Sequence, residues 1–453
     1  MSPPPPRLTP CSPDPRSLSQ PGSSPICKSA RSWPPPADCD TPDHARPCQP
    51  WRHLELNIRE ASAPRTVRTG LDRALRADGE VFRGRRLAVL CNRAAVDGTG
   101  RPIVEALTQV PDLRLCRIYS PEHGFAVNAE AGEHVGSRTV GPVPVVSLYG
   151  DRSQPSAEEL ATIDLFVVDL PDVGARYYTY MATMKACMAS CAAHGVPMLI
   201  LDRPNPLGGV IREGAVAAVF GSLVCCAPIP IRHGLTLGEL ARFFQALFFS
   251  GTDLRVDVLT VENWRRDRMF AECGLPWVAP SPNLPGVENA LMYVGSCLLE
   301  GLNLNEGRGT ETPFLLCGAP WLAPEPVLAE IPEPERTGVA LTAVRYTPRA
   351  ISGKAANPRY RDAACQGIAM RVTNPQAARP LTTVLALIGA IWRRHPELEW
   401  TPFFDTLAGG PWIREQIQSG CSCSDSLVGI REDLAAFDTK RPLLYAPEPP
   451  ANG

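Results

Sequence analysis

Short, nearly unbroken apolar runs punctuate the chain from about residue 85, with segments of helical spacing between them. Arg85–Asn92 (RRLAVLCN), Arg114–Tyr119 (RLCRIY), Val143–Gly150 (VPVVSLYG), Ile163–Leu170 (IDLFVVDL) and Val196–Leu201 (VPMLIL) are of strand length and rich in Val, Ile and Leu. Runs that lack polar alternation fit parallel strands covered on both faces. Helical patterns fall near Pro102–Gln109, Ser156–Thr162 and Ala175–His194. This alternation predicts an α/β fold, a Rossmann-like doubly wound parallel sheet. Thr236 and Glu239 have the spacing of a capping box ahead of a further helix, a strand follows near Leu254–Val261, and a helix is expected near Val287–Leu299. Past about residue 318 the pattern is less regular, with strands near Gly338–Tyr346 and Gly367–Val372 and helices near Pro380–Arg394 and Trp412–Gln418. A smaller C-terminal α+β domain is expected there. The predicted organisation is a proline-rich segment over 1–66, the Rossmann-like domain over 67–317, and an auxiliary domain closing a cleft over 318–453.

The polar residues are placed with a bias. Asn92, Glu122 with His123, Tyr149, Asp169 with Asp172, and Asp202 with Arg203 and Asn205 all follow an apolar run rather than precede it. In an open α/β sheet that gathers them in the crevice beyond the carboxyl ends of the strands, where ligands bind. In SPEHGF (Ser120–Phe125), Pro121 ends the strand, Glu122 is a potential acid or base, His123 is a second proton carrier, and Gly124 permits a sharp turn. DLPDVGARYYTY (Asp169–Tyr180) is the densest polar cluster. Asp172 there is equally suited to capping the next helix, and Arg176 is equally suited to an ion pair with Asp169 or Asp172 and to contact with a ligand carboxylate. Tyr177 and Tyr178 offer aromatic faces to a sugar. His233, in RHG (Arg232–Gly234), reads as a ligand contact or a buried, hydrogen-bonded histidine. Glu306 and Arg308 are presented between glycines in NEGRGT (Asn305–Thr310), as a ligand site or as a satisfied pair. Asn283 lies in the proline-enforced loop GLPWVAPSPNLP (Gly274–Pro285).

Composition narrows the function. A formal charge of −2 supplies no basic excess for nucleic acid. No apolar run reaches the roughly 18 to 20 residues that span a bilayer. Residues 1–66 hold much of the chain's proline, cannot bury enough apolar surface to offset ordering entropy, and contain no continuous apolar h-region, so disorder and a cytoplasmic location are the expectations. The 16 cysteines have no paired zinc-like spacing. His123, His134 and His233 form no recognised metal motif, and neither a dinucleotide fingerprint, a P-loop nor a G-x-S-x-G elbow occurs. No cofactor and no metal are expected, and the expected partner is a small-molecule substrate.

Taken in order, SPEHGF, SLYG, DVGARYYTY, LDRPNP, RHGLTLGELA, GLPWVAPSPNLP, EGLNLNEGRGT, GAPW and the closing RPLLY resemble the exo-β-N-acetylmuramidase family of bacterial cell-wall enzymes from about Val67 to Tyr445. The resemblance implies release of N-acetylmuramic acid from the non-reducing end of peptidoglycan fragments by a Rossmann-like catalytic domain with a smaller auxiliary domain. The glutamate of the family's PEHG motif falls on Glu122, which is expected to be the general acid, with a proton held near neutral pH by burial and neighbouring carboxylates. His123 is expected to orient it. Glu306, Asp169, Asp172 and Asp202 are candidates for a second group, as is the substrate's own 2-acetamido group. Arg176 and Arg203 are expected at the lactyl carboxylate, and Tyr177, Tyr178 and Trp277 at the ring face. Arg138 and Thr139 stand where the family pattern has an acidic residue before SLYG. A non-catalytic muropeptide-binding protein on the same fold is the competing reading.

Overall fold

The computed structural model describes residues 66–446 except 77, 131, 134–137 and 421–422, so the expectation for residues 1–66 lies almost wholly outside it. Strand β1 (Arg86–Cys91) is buried at every position after Arg86, which places it at the middle of a sheet. It pairs in parallel with β2 (Arg114–Ser120) on one side and with β5 (Leu165–Asp169) on the other. With β3 (Arg138–Val140), β4 (Val143–Ser147), β6 (Met198–Leu201) and β7 (Val256–Leu259), these make a seven-stranded sheet in the order β3-β4-β2-β1-β5-β6-β7. All pairs are parallel except β3 with β4. The chain therefore winds outward from β1 through β2 and β4, then returns to build β5, β6 and β7 on the other side, as doubly wound sheets do.

Helices cover both faces because the strands expose apolar side chains on both. One hydrophobic cluster gathers Leu90, Phe166 and Ile200 with the helices Tyr180–His194 and Leu237–Phe248, and the other gathers Leu87, Val89 and Val167 with Ile103–Leu107. The helix Leu237–Phe248 starts at the expected capping box, with Thr236 accepting from the Glu239 amide and Glu239 accepting from that of Thr236. The expected helix over Ala175–His194 starts only at Tyr180. Residues 175–179 are drawn away because Ala175 bridges Arg232 and the Arg176 amide donates to the Ile231 carbonyl.

A second, antiparallel sheet has the order β8-β10-β9, from β8 (Leu316–Ala319), β9 (Val339–Tyr346) and β10 (Cys365–Val372). Strand β8 was not expected from sequence; it has four residues, all buried, and carries no alternation to detect. The helix Pro380–Arg394 packs against Val287–Ser296, and the first hydrophobic cluster continues without a break from the large sheet to Phe404 and Phe437. Among the described residues no helix is long and apolar enough to cross a membrane.

Candidate active site

Glu122 stands just beyond the carboxyl end of β2, where the chain reverses through two successive left-handed residues, His123 and Gly124, both at φ 69°. Glycine adopts that conformation freely, whereas histidine does so at a cost that its surroundings must offset. The offset is visible: His123 is buried and its Nδ1 lies 3.0 Å from the Ala129 carbonyl. The turn thus aims Glu122 into a cavity of about 450 Å³. Glu122 is 8% exposed. Its Oε1 accepts from the Gly132 amide at 2.9 Å, and its Oε2 accepts from the Thr179 hydroxyl at 2.8 Å. The Tyr149 hydroxyl is also hydrogen-bonded to Glu122; burial first, then the Glu122 charge and this bond, push that phenol up to about 12. Burial holds His123 below the ordinary imidazole range, against the opposing pull of Glu122.

The walls come from both sheets' connections. Tyr177, Tyr178 and Tyr293 supply aromatic faces, and Ser222, Leu223 and Val224 from one segment and Phe403, Thr406 and Leu407 from another add to the lining. Glu300 and Arg308 complete the lining and also border an adjoining cavity of about 510 Å³, which Glu306, Glu130, Lys354 and Arg359 help to form. The Arg308 Nη1 lies 2.8 Å from Glu306 and 3.2 Å from Glu300, and the guanidinium sits over the Phe314 ring at 4.8 Å. Burial works against its charge, but the two carboxylates outweigh burial and hold the guanidinium above its ordinary range. Burial raises the Glu300 carboxyl, with Arg308 opposing. Glu300 was not singled out from sequence, because CLLEG reads as the tail of an apolar helix, whereas the chain tightens there into a 3-10 turn over Cys297–Gly301.

Several expected residues are engaged elsewhere. Arg176 is fully buried; its Nη1 donates to the carbonyls of Ala215 and Ile229, and its Nη2 to those of Leu407 and Ala408, at 2.8 to 2.9 Å. The neighbouring Gly409, at φ 78°, has room for no Cβ, which would lie 2.8 Å from that of Ala217. Arg176 is thus a rivet between two chain segments, not a free carboxylate receptor. Arg203 is closed in a bidentate pair with Asp169 and also donates to the Val96 carbonyl, so neither of that pair lines the Glu122 cavity. Asp202 is wholly buried and accepts from Thr236, Tyr445 and the amides of Gly238 and Arg203. Asn205 donates to the Leu235 carbonyl and accepts from the Leu207 amide. Asp172 accepts from the Gly174 amide, and His233, fully buried, lies 3.4 Å from it. Asn283 donates to the Lys354 carbonyl, holding the proline-rich loop to the border of the adjoining cavity. Trp277 packs edge-on against Phe270 in a separate, narrow cleft beside Arg203 and Asp172. His123 lines the Glu122 cavity and His233 does not, and His134 lies outside the described residues.

Glu122, His123, Tyr177, Tyr178 and Arg308 are brought together, and Glu306 stands directly behind Arg308. Models of the exo-β-N-acetylmuramidase NamZ match the chain in two parts, the N-terminal one over residues 87–288 and the C-terminal one over 291–445. The chain belongs to the NamZ exo-β-N-acetylmuramidase family. It is 36% identical over 382 residues to the peptidoglycan β-N-acetylmuramidase NamZ of Bacillus subtilis strain 168, covering 83% of this chain and 90% of the relative. Two crystal structures of DUF1343 family proteins from Bacteroides fragilis share the fold, with TM-scores of 0.76 and 0.67 at 25% and 29% identity, covering 84% of this chain and 99% of each of those. NamZ-family membership places the chain among glycosidases, and these comparisons lend no support to the non-catalytic binding protein.

Proposed function

We propose that this chain is an exo-acting hydrolase that releases N-acetylmuramic acid from the non-reducing end of peptidoglycan fragments by cutting its β-1,4 bond to N-acetylglucosamine. One observation carries the reading: a buried carboxyl, Glu122, is held by Gly132, Thr179 and Tyr149 on the wall of a sugar-sized cavity with tyrosine faces. A glycosidic bond is slow to break because its leaving oxygen departs as a poor alkoxide, and a positioned acid removes that obstacle. As the bond from the anomeric carbon to oxygen breaks, its electron pair stays on the oxygen, which takes the Glu122 proton. Water then adds its oxygen to the anomeric carbon and returns a proton to the site. Glu300 on the same wall, with Glu306 behind it, offsets the positive charge that grows on the sugar. In this reading residues 67–317 hold the reaction centre and 318–453 close the cleft through Phe403, Thr406 and Leu407. The cytoplasm is the proposed location, in keeping with the free thiols of the described cysteines.

The test is release of chromophore from 4-nitrophenyl β-N-acetylmuramic acid. Wild type is expected to release it, with or without EDTA, and Glu122→Gln to lower kcat by about 10²- to 10⁴-fold while melting as wild type does. A folded wild type that binds the sugar and releases nothing would return the binding-protein reading.

A further inference from the structure

Two backbone groups serve the acid and its neighbour: the Gly132 amide donates to Glu122, and the Ala129 carbonyl lies 3.0 Å from Nδ1 of His123. Both belong to the stretch between β2 and β3, where no helix or strand occurs among the described residues. Backbone of that kind is only as well placed as whatever anchors it. Within the stretch, the Glu133 carboxylate accepts from the Glu130 amide at 2.8 Å and the Glu133 amide donates to the Glu130 carbonyl at 3.1 Å, which closes a turn on Gly132. The outer anchor lies 226 residues further on: Oε2 of Glu130 accepts from the Ala356 amide at 2.8 Å. Ala356 directly follows a tight turn in which Ile351 and Ala355 exchange backbone hydrogen bonds. Gly353 in that turn, at φ 70°, faces the Asn128 carbonyl so closely that a Cβ would lie 3.0 Å from its oxygen. Asn283 donates to the Lys354 carbonyl and holds the turn itself. The turn therefore meets the stretch at Asn128 and at Glu130, on either side of Ala129.

We propose that Glu130 is a positioning residue, its carboxylate carrying the hold of the C-terminal part of the chain, through Ala356, to the amide that aligns Glu122. The assignment rests on the muramidase reading above and deepens it. Neither Glu130 nor Ala356 lines the Glu122 cavity, whereas Gly132 does, so the effect runs through Gly132. A hydrogen bond weakens steeply as its angle falls, and a turn left slack at Glu130 lets the Glu122 carboxyl rotate away from the glycosidic oxygen. What the contact requires is an acceptor rather than a charge, since an amide oxygen in the same place takes the Ala356 N–H as well. Glu130 also borders the adjoining cavity, so direct contact with substrate is the competing role.

The experiment uses the full chain as wild type, Glu130→Ala and Glu130→Gln. It measures kcat and KM on 4-nitrophenyl β-N-acetylmuramic acid, and the Gly132 amide resonance in protein labelled with nitrogen-15 at glycine, assigned by its loss in Gly132→Ala. Glu130→Ala should lower kcat roughly three- to tenfold with KM within about twofold, and should shift the Gly132 resonance. Glu130→Gln should restore both. An unmoved Gly132 resonance in Glu130→Ala would overturn the proposal. So would a raised KM with kcat intact, which makes Glu130 a substrate contact, or a Gln variant as impaired as the Ala one. Gly353→Ala pushes on Asn128 from the side of Ala356 with Glu130 intact, and should give the same loss in kcat and a shifted Gly132 resonance. It decides the matter should Glu130→Ala not fold, an unmoved resonance there counting against the proposal. A wild type that hydrolyses nothing would sink the muramidase reading, while the Gly132 resonance still tests the hold of Glu130 on that amide.

Discussion

Thr179 contributes one hydroxyl to the site, and by donating to Oε2 it fixes the orientation of the Glu122 carboxyl. Thr179→Val keeps the shape and removes the donor at 2.8 Å. The expected result is a roughly tenfold loss in kcat on the 4-nitrophenyl substrate with KM nearly unchanged, since one hydrogen bond to a charged group is worth about 1.5 to 3 kcal/mol at most. An unchanged kcat would show that Gly132 and Tyr149 suffice. Arg176 sits at the other extreme, where the side chain touches no ligand. Arg176→Leu strands the carbonyls of Ala215, Ile229, Leu407 and Ala408 and is expected to cost about 3 to 5 kcal/mol in urea unfolding, with no selective effect on muramic over glucosaminyl substrates. Near-wild-type stability would mean that those carbonyls find other donors. The two residues were unequally legible in the sequence. Glu122 stood out because proline and glycine bracket it directly after a buried strand, a local signal. The carbonyls that claim Arg176 lie up to 232 residues away, and any arginine beside an acidic cluster reads the same until they are placed.

At the scale of elements, the strands of the large sheet were readable because burial on both faces leaves Val, Ile and Leu runs with little else to be. Their edges were less so: β3 has three residues and β8 has four, and such short segments carry no period. The link between β6 and the end of the chain was also hidden. Asp202, one residue past β6, accepts from the hydroxyl of Tyr445, whose ring packs edge-on to Trp264. Burial, opposed by the hydrogen bonds from Tyr445, Gly238 and Thr236, pushes the Asp202 carboxyl up to about 6 from its ordinary 3.8. The folded state then holds a proton that the unfolded state has released between these two values. This contribution to stability is full below about 4, declines as the pH rises, and is lost above about 6. Asp202→Asn should therefore flatten the dependence of urea midpoint on pH in that window. A slope identical to that of wild type would remove Asp202 as its source.

For the molecule as a whole, the match of two family models end to end invites separation of the chain near residue 290, and the packing argues against it. The hydrophobic cluster under the large sheet continues into Val384, Phe404 and Phe437, while Glu300, Arg308 and Phe314 line a cavity to which the other part brings Glu122. Residues 66–290 expressed alone are expected to bind ANS and to lack the near-UV circular dichroism and cooperative melt of the full chain. A cooperative melt from that fragment would show that its core closes by itself. The rivet at Arg176 has a consequence on a longer timescale. It ties the segment that bears Leu223 to the one that bears Phe403, two apolar side chains left 39% and 40% exposed on the lining of the cavity. With those two segments held together by Arg176, either side chain can be exchanged without loosening the frame. That stretch of the cavity lining is therefore open to retuning, by selection or by engineering, toward longer or differently decorated sugar chains.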